Sequence, residues 1–256
     1  MISLISFALF VVGANVASFA GVISERFYTG QGFLTGRSRC DACNAQLSPL
    51  ALVPILSYLL SQGRSLCCGA RISARSPITE MLLGGLFVLS YFKLGITFAL
   101  FFFLLSLSIL LALVLYDLSH QILPLSLLAI FVITSVVTRF SVSPSIPEFS
   151  PSFITALLIA AFLALIHFAS LGRAMGLADA PLAFGLALLV GPAALSGFIF
   201  SFWIGAVIGV ALLYSRPRGS RMRVEVPFAP YLAAGFLLAY FTQWNLFILV
   251  TPLPLG

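Results

Sequence analysis

The stretch that decides the fold runs from Leu94 to Tyr116 and reads LGITFALFFFLLSLSILLALVLY, without a charged residue, and Asp117 follows it directly. An apolar run of about 20 residues is long enough to cross a bilayer as an α-helix. A second uncharged run, Ala180 to Tyr214, comes directly after Asp179. Each run therefore has an aspartate at its border, in a chain with only seven acidic residues.

The composition as a whole is that of a membrane protein. Soluble domains carry about 25% charged residues. This chain of 256 residues carries 8%, with 61% hydrophobic residues and a mean hydropathy of +1.15. We interpret the net charge of +6 as a feature of membrane topology and not as a nucleic-acid-binding surface.

The pattern predicts an all-α polytopic membrane protein with about eight transmembrane helices and a small cysteine-containing cytoplasmic loop domain. The predicted division is a first transmembrane helix at 1–25, the cysteine-containing domain at 26–76 and a seven-helix membrane domain at 77–256. The sixth and seventh helices share one uncharged stretch that is too long for one span, which favours a hairpin near Gly191-Pro192. The predicted helices are Ile2–Ile23, Pro77–Phe92, Ile96–Tyr116, Ile122–Thr138, Phe153–Leu171, Pro181–Leu195, Gly197–Tyr214 and Val226–Val250.

Positive charges predict the orientation. The first helix has no basic residue before it, and Arg26 follows it, which favours a retained helix with its N-terminus outside. With eight helices, all the lysines and arginines except Lys93 and Arg139 then fall on the cytoplasmic side. Asp117 and Asp179 are predicted at that same cytoplasmic face.

All four cysteines, Cys40, Cys43, Cys67 and Cys68, lie in the first cytoplasmic loop. Their grouping favours a structural zinc site, because the cytoplasm is reducing and thiolates are good zinc ligands. Cys67 and Cys68 are adjacent, which is unusual for ligands of one tetrahedral metal. Unliganded or redox-active thiols and a disulfide therefore remain alternatives. The short apolar segment Leu50–Leu60 is predicted to pack on this domain or to lie at the membrane interface.

The two aspartates have a structural and a functional interpretation. Asp117 could be a solvated residue at a helix C-terminus, although that position disfavours an anion, and Asp179 could be an ordinary N-cap. The functional hypothesis is an aspartic peptidase dyad, in which one carboxyl group keeps its proton while its ionised partner activates water. With only His120 and His167 in the chain, no serine triad is plausible. Glu80 is predicted to be an interfacial or packing residue, or a partner of Arg75.

Several motifs occur in one order along the chain. They are Ser18-Phe19 with Val22 and Arg26, Arg37-Ser38-Arg39-Cys40-Asp41-Ala42-Cys43, Pro54-Ile55-Leu56-Ser57-Tyr58, Gly63-Arg64, Ile72-Ser73-Ala74-Arg75 with Glu80, Asp117-Leu118 with His120-Gln121-Ile122-Leu123-Pro124, and Gly176-Leu177-Ala178-Asp179. Together they resemble the prepilin peptidase family, membrane aspartyl peptidases that process type IV pilins and type II secretion pseudopilins.

The resemblance implies a function and a location. It implies catalytic roles for Asp117 and Asp179, removal of a basic leader from prepilins or pseudopilins at the cytoplasmic face of a bacterial inner membrane, and no nucleic-acid partner. Many members then methylate the new N-terminus, which would require S-adenosylmethionine.

The chain departs from the family pattern at three places. Ala178 replaces the second glycine of the GxGD motif, and alanine would cost on the order of 1 kcal/mol if that position needed positive φ. Ala180-Pro181 follows Asp179 where the family usually has valine and lysine. The family's second CxxC would place cysteines at Ser65 and Cys68, so Cys67 is an offset substitute. A catalytically impaired relative that binds pilin-like helices, or a proton-relay transporter, are the alternative functions.

Overall fold

A computed structural model describes residues 2–26, 40, 42–46, 48, 53–173, 175–214 and 227–244. The predicted motif residues Arg37, Arg39 and Asp41, the start of the Leu50–Leu60 segment and both ends of Val226–Val250 lie outside the described residues. The described part contains nine α-helices: α1 (Ile2–Arg26), α2 (Leu56–Leu60), α3 (Arg75–Leu94), α4 (Phe98–His120), α5 (Leu125–Val142), α6 (Ile146–Ala169), α7 (Asp179–Val190), α8 (Ala194–Tyr214) and α9 (Ala229–Thr242).

The predicted all-α membrane class is confirmed. Among the described residues, six segments are long and apolar enough to cross a membrane, and α9 is a shorter apolar helix. One of the six, Asp179–Leu212, contains both α7 and α8. Counting α7 and α8 separately and adding α9 gives eight apolar helices in the described part, so the predicted number of about eight spans holds approximately.

The break between α7 and α8 lies at the predicted hairpin. A 3-10 turn, Gly191–Ala193, joins the two helices, and Gly191 has φ +68°, a conformation that glycine adopts without strain. Gly197 of α8 packs on Phe236, and Gly205 packs on Phe228, so α8 runs antiparallel to α9. Helix α7 runs in the direction of α5, because Gly185 contacts Phe131 and Gly191 contacts Arg139. Helices α7 and α9 both begin near Asp117 and both end near Arg139, so the chain reverses its direction at the turn.

Helix α7 lies at the centre of the bundle. It packs against α5, α6 and α9, and nearly every residue from Asp179 to Val190 is buried. A helix that is apolar on all sides is suited to such a position. It has 12 residues, which at 1.5 Å each is about 18 Å and less than the thickness of a bilayer. Its first residue, Asp179, is buried by the surrounding helices.

The two positive residues predicted outside lie together at one end of the bundle. The Lys93 Nζ donates to the Tyr240 carbonyl near the end of α9 and lies 3.7 Å from the Tyr240 ring centroid. Arg139 packs against Gly191 at the α7–α8 turn. Both aspartates lie toward the opposite end, because Asp179 begins α7 and Asp117 contacts the start of α9.

Candidate active site

Asp117 is a buried carboxylate near the end of α4. Its side chain is 6% exposed, and α4 continues for one more turn to His120. Gln121 then ends the helix in a left-handed conformation, and its backbone N–H donates to the Asp117 carbonyl at 2.8 Å. The prediction of a solvated residue at a helix C-terminus is therefore wrong, since the side chain points into the protein.

The partner of Asp117 comes from a distant part of the chain. The Ala229 backbone N–H, at the start of α9, donates to Asp117 Oδ2 at 3.3 Å. A helix N-terminus carries a partial positive charge, so it favours an anion. This contact compensates for the unfavourable position of Asp117 near the C-terminus of its own helix.

Asp179 is the second buried carboxylate, 8% exposed, and it is the first residue of α7. The prediction that Asp179 is an N-cap is wrong: Ala178 occupies the N-cap position, and no side chain caps the helix. The Asp179 N–H donates to the Gly176 carbonyl at 3.3 Å, and the Asp179 carboxylate lies close to the Gly176 backbone. The tight turn through residues 176–179 therefore positions both the backbone N–H and the carboxylate of Asp179.

The bundle brings the two aspartates toward each other. Their carboxyl groups are close enough for a direct electrostatic interaction. Two carboxylates in one buried site resist being ionised together, because each negative charge disfavours the other. Such a pair can hold one proton between its members and act as acid and base in one reaction.

Ala178 fits its position without backbone strain. Its φ of −67° and ψ of −17° are right-handed helical values that any L-residue adopts. The expected cost of replacing glycine with alanine is therefore absent. The Ala178 side chain is partly buried and packs against the hydrophobic core.

Neither histidine makes a described contact with an aspartate. His120 stacks on Tyr116 with ring centroids 4.3 Å apart. His167 Nδ1 lies 2.8 Å from the Met175 carbonyl oxygen, in the loop before α7. His167 is a helix residue, as predicted, and it helps to shape the loop that leads to Asp179.

Glu80 connects the membrane bundle to the segment around α2. It is 4% exposed, and its two oxygens accept hydrogen bonds from the Ile55 backbone N–H at 2.7 Å and from Ser76 Oγ at 3.0 Å. Arg75 instead donates to Ser119 Oγ at 3.4 Å and to the Leu115 carbonyl at 3.5 Å. Arg75 thus joins the start of α3 to the end of α4 on either side of Asp117.

The four cysteines form one cluster, as the sequence predicted. All four sulfur atoms lie within 4.8 Å of one another. Cys40 and Cys68 are 3.7 Å apart, and Cys43 and Cys67 are 3.2 Å apart. These distances exceed the roughly 2.05 Å of a disulfide, and all four thiols are free.

Two similar turns build the cluster. In the first, Cys40 N–H donates to Ala45 O and Asn44 N–H donates to Cys40 O. In the second, Ser65 N–H donates to Ala70 O and Gly69 N–H donates to Ser65 O. Asn44 and Gly69 both have positive φ, at 56° and 70°. Ser65 therefore occupies in the second turn the position that Cys40 occupies in the first.

Ser65 also contacts the sulfur atoms. Its hydroxyl lies 3.3 Å from Cys40 Sγ and 3.0 Å from Cys67 Sγ. The hydrogen bond with Ser65, together with those from the Cys43 and Ala42 backbone, lowers the pKa of the Cys40 thiol to about 6. The offset Cys67 thus brings its sulfur into the cluster beside the serine.

Sequence reasoning missed Ala229 as a contributor to the site. An alanine carries no functional group, and its backbone N–H becomes relevant only when α9 packs against α4. The signal available in the sequence was Pro230, which is favoured in the first turn of a helix and so marked where α9 begins.

These observations define a multi-pass membrane protein that holds two buried carboxylates together at one end of a helical bundle. The family model described as "Bacterial Peptidase A24 N-terminal domain" matches residues 11–94, and the model described as "Type IV leader peptidase family" matches residues 104–213. The chain belongs to the type IV leader peptidase family.

Curated relatives carry one name, prepilin leader peptidase/N-methyltransferase. The chain is 32% identical to the protein of that name from Bacillus subtilis, over 91% of this chain and 92% of the relative. It is 33% identical to the one from Myxococcus xanthus, over 82% and 64%, and 32% identical to the one from Legionella pneumophila, over 80% and 72%. No solved structure matches the chain significantly.

Proposed function

We propose that this protein is a membrane aspartic endopeptidase that removes the basic leader of type IV prepilins or pseudopilins. The observation that carries the proposal is the pair of buried carboxylates, Asp117 and Asp179, held close together at one end of the bundle. Family membership and the name of the relatives supply the substrate class.

The proposed chemistry needs only these two side chains and a water molecule. The ionised carboxylate accepts a proton from water, which attacks the scissile carbonyl carbon. The protonated carboxyl group donates a hydrogen bond to the carbonyl oxygen, and the leaving amine then receives a proton. Burial strengthens these interactions, since charges interact more strongly where water is excluded.

We further propose that the site faces the cytoplasm of a bacterial inner membrane. The aspartates lie at the end of the bundle away from Lys93 and Arg139 and near Arg75. The topology expected from the sequence puts the other lysines and arginines on the same side as the aspartates, and positive residues concentrate on the cytoplasmic side of membrane proteins. The substrate would lie with its apolar helix in the bilayer and its basic leader beside the acidic pair.

The test is to replace each aspartate with asparagine and to co-express the variant with a prepilin. We expect Asp117→Asn and Asp179→Asn to abolish leader removal, because asparagine can neither accept the proton of water nor supply one. Leader removal is read as a gel shift. Both variants should assemble in the membrane at normal levels.

Glu148→Gln is the matched control, since it removes an exposed acid from the first turn of α6. Its processing should equal that of the parent protein. Undiminished processing by either aspartate variant would disprove the dyad. Binding of the prepilin without cleavage by the parent protein would favour the impaired-relative alternative.

The cysteine cluster fits a structural zinc ion. Four tetrahedral ligands at the usual Zn–S distance of about 2.3 Å lie about 3.8 Å from one another. The four sulfur atoms, all within 4.8 Å of one another, need only a small adjustment to reach that geometry. We propose that Cys40, Cys43, Cys67 and Cys68 hold the ion, which would join the two turns of the 26–76 domain.

Methylation of the new N-terminus is a second candidate function, favoured by the name of the relatives. Its methyl donor would be S-adenosylmethionine. Two cavities among the described residues, of about 250 and 290 Å³, are lined by apolar and aromatic residues of α8 and of the start of α9. They do not fit the charged groups of that cofactor, so no residue is assigned to methylation.

A transporter is the less favoured function. Proton relays across a membrane need groups at different depths, whereas Asp117 and Asp179 lie toward the same end of the bundle. The unstrained backbone of Ala178 weighs against the impaired-relative alternative.

A further inference from the structure

We propose that the backbone N–H of Ala229 is a positioning group of the active site, which holds the Asp117 carboxylate and favours its ionised form. The inference rests on the proposed function, because it assigns this N–H a part in the same reaction. It makes Asp117 the carboxylate that accepts the proton of water.

The first turn of α9 leaves one backbone donor available for Asp117. The first N–H groups of a helix have no partner within the helix. Pro230 has no N–H, and the N–H groups of Tyr231 and Leu232 both donate to the Phe228 carbonyl at 3.1 Å. The Ala229 N–H remains, and it donates to Asp117 Oδ2 at 3.3 Å.

Burial gives this contact its effect. Ala229 is 0% exposed and Asp117 is 6% exposed, so water cannot readily replace the N–H. A hydrogen bond to a charged group is stronger than one between neutral groups, and the helix N-terminus adds a favourable electrostatic interaction. A hydrogen bond donated to a carboxylate favours its charged form.

Several elements near Asp117 carry charged or titratable side chains. In the described part of the chain these include Asp179 on α7, Arg75 at the start of α3, Tyr116 and His120 on α4, and Tyr231 on α9. Asp179 opposes ionisation of Asp117. Arg75 is bound to Leu115 O and Ser119 Oγ, and His120 is stacked on Tyr116. Tyr231 packs against Gly205 of α8.

Helix α9 follows the region matched by the leader peptidase model, which ends at residue 213. The site would therefore depend on a helix after that region, through a main-chain group that no side-chain pattern identifies.

The experiment removes only the N–H. L-lactic acid is incorporated in place of Ala229 in the full-length protein, so that the peptide bond becomes an ester with the same side chain. We expect at least about a tenfold loss of prepilin cleavage, because a charged hydrogen bond is lost and the ester oxygen repels the carboxylate. The limb of the pH–rate profile that reports ionisation of Asp117 should move to higher pH, because the ionised carboxylate loses a hydrogen-bond donor.

Two controls separate this effect from a general loss of structure. L-lactic acid in place of Ala234, an exposed residue of the same helix, removes an N–H at a distance from Asp117 and should leave the pH profile in place. Ala229→Gly keeps the N–H and should also keep the pH profile, even if the smaller side chain lowers the rate.

An unchanged rate and pH profile for the ester at 229 would overturn the inference, and so would an equal shift for the ester at 234. If Asp117→Asn abolishes cleavage in the same assay, the proposed function stands and only the role of Ala229 fails. If Asp117→Asn cleaves normally, the proposed function itself fails.

Discussion

At the scale of single residues, the buried acids obtain their partners from distant segments of the chain. Asp117 accepts from Ala229, and Glu80 accepts from Ile55. Leaving such a backbone donor buried without its partner costs about 1–3 kcal/mol. Each of these two buried carboxylates therefore accepts a hydrogen bond from a specific backbone N–H.

Glu80→Ala tests whether a buried acid outside the candidate dyad holds a distant segment through its backbone N–H. The variant loses hydrogen bonds to Ile55 and Ser76, and we expect the segment at residues 53–61 to be bound less firmly, by about 1–3 kcal/mol. Faster proteolysis of this segment in detergent-solubilised protein would report the change. Glu148→Ala, which removes an exposed acid, should leave the rate nearly unchanged. Equal rates in the two variants would contradict a docking role for Glu80.

At the scale of helices, close backbone approach decides which pairs form. Helices α1 and α3 meet at Gly13 and Gly84, where a Cβ added to Gly84 would lie 2.9 Å from the Phe10 carbonyl oxygen. Small residues at such contacts allow the dispersion interactions that drive helix association in a membrane. A neighbouring glycine, Gly85, has no atom within 4 Å of the same added Cβ.

The two adjacent glycines provide a matched pair of substitutions. Gly84→Ala should destabilise the protein by about 1–3 kcal/mol, because the α1 and α3 backbones must move apart. Gly85→Ala should be neutral or slightly stabilising, since alanine favours a helix and meets nothing. Thermal unfolding in detergent measures both. A Gly84→Ala variant as stable as Gly85→Ala would show that the helices are not in this close contact.

At the scale of the whole molecule, two side chains, Glu80 and Arg75, relate the cysteine-containing region to the bundle. Glu80 binds Ile55, and Arg75 binds the end of α4 beside Asp117. Within the region itself, two similar turns bring four sulfur atoms together. The proposed zinc ion would therefore stabilise a segment that contacts the same helix ends as the candidate active site.

The offset cysteine allows a rescue experiment for the zinc. We expect about one zinc per chain in the purified protein, and a clear loss in Cys67→Ser, because a thiolate ligand is removed. Adding Ser65→Cys to that variant should restore the zinc, since Ser65 occupies the position that corresponds to Cys40. Elemental analysis gives the metal content. Zinc retained by Cys67→Ser alone would exclude Cys67 from the ligands.

The sequence by itself determined the membrane class, the approximate helices and the hairpin at Gly191-Pro192. It did so because hydrophobic length and charge are local properties that the bilayer selects directly. Only the tertiary structure decided that Asp179 begins α7 instead of capping it, that Ala178 is unstrained, and that Ala229 serves Asp117. These features depend on main-chain angles and on contacts between segments far apart in the chain, which no local pattern records.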